Sequence, residues 1–74
     1  MIARFATICC SGRWVATVVW GERAWNGAGE SRFAAVLDMC DEVAWDALQG
    51  RIPAELQDAV FTDVMDAIAA EVAS

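Results

Sequence analysis

The chain has 74 residues, is 58% hydrophobic with four Trp and three Phe, and carries a formal charge of −6. That length supports a single domain over 1–74, and so apolar a composition excludes disorder as the default state. The charge excludes ordinary electrostatic attraction to nucleic acid or to an anionic membrane.

Taken in chain order, residues 2–10 (IARFATICC) are rich enough in β-branched and aromatic side chains for a strand. Ser11–Gly12 is a turn signal. Residues 13–20 alternate: Trp14, Ala16, Val18 and Trp20 share one face, and Arg13, Val15, Thr17 and Val19 the other. Gly21–Glu22 suits a second two-residue hairpin leading into a short strand at 23–26. Asn26–Gly27–Ala28–Gly29 is expected to break regular structure.

Residues 31–49 read as a helix, with Ser31 as a reasonable N-cap and Glu30 as the alternative start. Its period places Phe33, Val36, Leu37, Cys40, Val43, Ala44, Ala47 and Leu48 on the expected core side, with Asp38, Asp41, Glu42, Trp45 and Gln49 opposite. Gly50 suits a left-handed helix stop. Pro53 fits the start of a second helix over 54–72, whose apolar face is Leu56, Val60, Phe61, Val64, Ala67 and Ile68. The short link makes the two helices antiparallel neighbours. The expected fold is α+β: a three-stranded antiparallel meander within 1–27, followed by two antiparallel helices within 30–73 packed on one face, βββαα.

Chemistry is sparsely represented. Three Cys, two of them adjacent at Cys9 and Cys10, do not suggest a disulfide framework. Buried, reduced thiols in a cytoplasmic protein are the expectation. No signal-peptide pattern is present, and no apolar run approaches the length of a membrane span. With no His, a Cys–His nucleophile is impossible, and Cys spacing suits no zinc site. The Gly27–Gly29 turn lacks the Lys and Ser/Thr of a phosphate-binding loop. No enzyme activity, metal or cofactor is expected.

The charge is unevenly distributed. Residues 1–32 carry four arginines (Arg4, Arg13, Arg23, Arg32) against two acids, whereas residues 33–74 carry Arg51 alone against nine acids. Like charges spaced along a helix forgo the stabilisation that mixed pairs give. The two helices are therefore expected to lay one continuous, single-sign surface outward. Trp45, set among Asp38, Asp41 and Glu42, has the character of an aromatic anchor for an Arg-rich partner.

Two resemblances follow. The turn Gly27–Ala28–Gly29–Glu30–Ser31 and a helix with Ala35, Met39 or Cys40, Val43 or Ala44, and Leu48 resemble the second half of a double-stranded-RNA-binding domain. That resemblance implies a meander packed on a helix. Where the family places phosphate-binding lysines, this chain has Arg32, Phe33 and Val36, followed by Asp38, Asp41 and Glu42, which argues against RNA binding. In size, charge and architecture the whole chain is similar to phage anti-CRISPR proteins that occupy the DNA channel of a type I surveillance complex (Cascade). This implies a host-cytoplasmic inhibitor that mimics DNA, with Asp38, Asp41, Glu42, Asp46, Glu55, Asp58 and Asp66 standing in for phosphates and Trp45 as anchor. The alternative expectation is a small homodimeric phage or bacterial interaction module that buries Phe61, Met65 and Trp45, with no nucleic-acid role.

Overall fold

The computed structural model describes residues 2–73. Three strands, β1 (Arg4–Cys10), β2 (Arg13–Trp20) and β3 (Arg23–Gly29), form an antiparallel sheet in the order β1-β2-β3. Two helices follow, α1 (Arg32–Leu48) and α2 (Ala54–Ala73). Two-residue turns set both registers. Ser11 and Gly12 both have positive φ (53° and 77°), the mirror-image turn that matches strand twist, and Gly21 opens the second turn at φ 61°.

The register puts Trp14, Ala16, Val18 and Trp20 on one face of β2, with Phe5 opposite Val18 on β1 and Trp25 opposite it on β3. Both helices cover this face: α1 lies over β3 and β2, and α2 over β1 and β2. The buried core is Ala16, Val18, Trp20 and Trp25 from the sheet, Ala35, Met39 and Val43 from α1, and Val60 and Val64 from α2, closed at the ends by Ala3 and Ile52. The opposite face of the sheet is covered by no element among the described residues and exposes Ile8, Val15 and Val19.

β3 runs three residues beyond the expected 23–26. The segment 26–29, expected to break structure, is strand, and its glycines have a packing role. A Cβ on Gly27 would sit 2.1 Å from the Met39 backbone nitrogen and 2.4 Å from the Ala35 carbonyl oxygen. One on Gly29 would meet the Ala34 Cβ at 2.7 Å. The helix therefore lies directly on the strand backbone, an approach only glycine permits.

That approach also corrects the face of α1. The residues against the sheet are Ala35, Met39 and Val43, with Val36, Cys40 and Ala47 half-buried. Phe33, Leu37, Ala44 and Leu48, expected in the core, are exposed. A contact this close admits a small residue at 35 and not a bulky one, so the stripe of Ala35, Met39 and Val43 faces the sheet in place of the most hydrophobic one. On α2, Val60 and Val64 are buried and Leu56, Ala67 and Ile68 half-buried, whereas Phe61 remains exposed.

The helix ends follow their signals. The Ser31 hydroxyl accepts the Ala34 N–H at 3.0 Å, satisfying an amide of the first turn. Gln49 caps the C-terminus and Gly50 follows at φ 74°. Because neither Ala35 nor Met39 can yield backbone space, Gly27→Ala is expected to lower stability by about 3 kcal/mol or more. A urea titration followed by circular dichroism measures this, and a shift comparable to that of an exposed-surface substitution contradicts the close-packing account.

Candidate functional surface

Each helix is tied to the sheet by one indole. Trp25 Nε1 donates to Asp46 Oδ2 on α1 at 2.7 Å, and Trp20 Nε1 donates to Asp63 Oδ2 on α2 at 2.7 Å. A buried indole N–H needs an acceptor, and a carboxylate is a strong one. Asp46 also takes Arg51 at 3.1 Å, while Arg23 donates to the Arg51 carbonyl oxygen at 2.7 Å. The Trp25 and Arg51 hydrogen bonds, reinforced by the Arg51 and Arg23 charges, hold the Asp46 carboxyl below its ordinary pKa. Asp46 was expected on the partner-binding surface. Its carboxylate instead clasps α1, β3 and the inter-helix loop.

Asp38 too has a local duty, although it is exposed. Its Oδ2 accepts the Ala28 N–H at 2.9 Å and so caps the outer edge of β3. This contact fixes the direction of the α1 flank: Asp38, Glu42 and Trp45 lie on the side away from α2. Trp45 is 56% exposed there, and Asp41 and Glu42 beside it are exposed as well.

The side of α1 toward α2 is apolar. Phe33, Leu37 and Cys40 share a groove of 560 Å³ with Met65, Ile68 and Val72. Phe33 and Val72 are more than 70% exposed along it. The opposite flank of α2, carrying Asp63 and Asp66, looks over β1, where a second cleft of 480 Å³ opens beside Ile2 and Phe5. Glu55 and Asp58 are exposed near the start of α2. The acids therefore divide: Asp38 and Glu42 stand on one outer flank of the helix layer, Asp63 and Asp66 on the other, and Asp41 and Asp58 on its outward surface beside the apolar groove, which interrupts the single continuous sheet of charge the sequence suggested.

One base lies between the helices, where Arg32 lines the groove. Arg51 is held by Asp46, and Arg32 pairs with Glu71 at 3.5 Å, joining the start of α1 to the end of α2. Arg4 and Arg13 are exposed on the sheet. The thiols depart from the expectation of burial: Cys9 and Cys10 are exposed at the end of β1, and only Cys40 is half-buried. Burial and the neighbouring Asp41 charge push the Cys40 thiol up, away from a nucleophilic thiolate. Among the described residues no three Cys, Asp or Glu side chains converge to hold a metal ion, and no helix is long and apolar enough to cross a membrane. No family model, curated protein or solved structure matches the chain.

The sign of the Asp46 effect is testable. A carboxylate favoured in its charged form by the fold contributes stability above its unfolded pKa, and this is lost as pH falls through the lower folded pKa. Asp46→Asn is expected to lower the thermal midpoint at neutral pH and to flatten the further loss as pH falls below the ordinary carboxylate pKa of about 4. Thermal melts across that range decide it: parallel acid limbs in the two proteins remove Asp46 from the account.

Proposed function

We propose that this chain acts by binding and not by catalysis, and that its partner is a basic, nucleic-acid-binding protein. The observation that supports this most is the exposed Trp45 set among Asp38, Asp41 and Glu42 on the free flank of α1. An aromatic anchor ringed by acids suits an arginine-rich surface, where cation–π contact and ion pairing act together. Glu55, Asp58 and Asp66 on α2 extend the negative field.

The similarity to phage anti-CRISPR proteins gives the proposal its specific form: an inhibitor that occupies the DNA channel of a type I crRNA-guided complex. Asp41, Glu42, Asp58 and Asp66 are the carboxylates best suited to this role, since none of them makes a hydrogen bond or ion pair among the described residues. Asp46 is committed to Trp25 and Arg51, and Asp38 contributes its charge from a fixed post on β3. One observation favours the second reading, a homodimer: the apolar groove between the helices leaves Phe33, Leu37 and Met65 exposed. Such a patch is a typical interaction surface.

Target-DNA binding by purified type I surveillance complexes, measured with the protein present and with salt rising, tests the first reading. Inhibition is expected to weaken as salt rises. The combined variant Asp41→Asn, Glu42→Gln, Asp58→Asn, Asp66→Asn is expected to lose about tenfold or more in potency, and Trp45→Ala a similar factor, without a change in thermal midpoint. Inhibition indifferent to salt and to these changes contradicts it. Light scattering that finds a tight dimer, split by Phe33→Asp, moves the assignment to the homodimer.

A further inference from the structure

The two edges of the sheet are not equivalent. The pairs closing two-residue turns, Cys10 with Arg13 and Trp20 with Arg23, exchange both of their backbone hydrogen bonds. Alternation from those pairs then directs the N–H and C=O groups of Phe5, Thr7 and Cys9 outward from β1, and those of Ala24, Asn26 and Ala28 outward from β3. The Ala28 N–H does point outward, to Asp38. On β3 a carboxylate thus takes the amide of one of the three outward residues. On β1 no side chain or loop among the described residues takes the outward groups.

β1 also lacks the devices that usually protect an edge. It has seven residues in unbroken register, without proline, bulge or interior charge; its one charged residue, Arg4, stands at its start. Above its N-terminal half lies the 480 Å³ cleft, with Ile2 and Phe5 on the sheet side and Asp63, Asp66 and Glu71 on α2. Backbone groups, space and negative charge therefore meet along one side of the molecule.

We propose that the outer edge of β1 accepts an extended segment of another protein, bearing Lys or Arg at alternate positions, as a fourth strand. Its backbone pairs with Phe5, Thr7 and Cys9. Side chains of one parity rise toward α2, where a basic residue lays its aliphatic stem along Phe5 and brings its charge to Asp66. Charge decides against a second copy of this chain in the same position: antiparallel self-pairing about Thr7 brings the acidic flank of α2 toward its own duplicate. The site lies apart from Trp45 but shares Phe5 with the helix groove and Asp66 with the anionic surface, and Thr7→Pro, which touches neither, separates its failure from that of the reading above.

Amide hydrogen exchange on the full-length ¹⁵N-labelled chain tests this, with a capped octapeptide of alternating Lys and Thr as probe and an alternating Glu–Thr peptide as control. In the free protein the amides of Phe5, Thr7 and Cys9 are expected to exchange freely while those of Ala6 and Ile8 are protected. The Lys–Thr peptide is expected to slow the first set by about tenfold or more, and the Glu–Thr peptide to leave it unchanged. Thr7→Pro removes only an outward N–H, so it is expected to abolish peptide binding while Ala6 and Ile8 stay protected. Asp66→Asn is expected to weaken binding. The proposal is overturned if the Phe5, Thr7 and Cys9 amides are already protected in the free protein, if the Lys–Thr peptide leaves them unprotected, or if its binding survives Thr7→Pro.

Discussion

The absence of a side chain at Gly27 governs how this molecule is put together. It lets α1 rest on the backbone of β3, with Ala35 and Met39 at the contact. That contact fixes the rotation of the helix about its own axis. Once Ala35, Met39 and Val43 face the sheet, Phe33 and Leu37 must turn toward α2, and Asp38, Glu42 and Trp45 must turn outward. The apolar groove and the acidic flank are thus two results of one steric allowance. Asp46 then falls within reach of Trp25, and the indole–carboxylate bond holds that rotation in place.

A chain this small has little interior, and here the tryptophans compensate. Trp20 and Trp25 bury large rings while their one polar atom is satisfied by a carboxylate from each helix. The same two bonds use two of the nine acids of the C-terminal half for cohesion, and Asp38 is partly used at the sheet edge. Acidity in this sequence therefore serves two ends at once. Some carboxylates hold the layers together, Glu71 pairs with Arg32, and others such as Asp41 and Glu42 face outward. An inventory of charge cannot separate these classes, because Asp46 and Asp41 look alike until their neighbours are known.

That distinction describes what could be read in advance. The element order, both two-residue turns, the Ser31 cap and the Gly50 stop were legible, because each depends on residues adjacent in the chain. The extent of β3 and the buried stripe of α1 were not. Gly27 and Gly29 carry the ordinary marks of a loop, and their meaning lies in a helix that begins only at Arg32. Ranking side chains by hydrophobicity favoured Phe33 and Leu37 over Ala35, whereas close approach selects for smallness. Of the surface residues, Trp45, Asp41 and Glu42 stand where periodicity put them, exposed and together. Asp46 does not, since its partner indole lies 21 residues away on another element. The alternation of β1 showed which residues share a face, but the contrast between its rim and that of β3, where Asp38 takes the Ala28 amide, needed the register.

The placement of α2 over β1 brings the last element of the chain onto the first. A nascent polypeptide emerges from its N-terminus, so the hairpins form while the helix that shelters Phe5 is still being synthesised. The meander must therefore wait with its tryptophan-bearing side incompletely covered until α2 has been made. Maturation of the interior thus belongs to the moment at which α2 leaves the ribosome, and the interval before it is when a chaperone would find the most to hold.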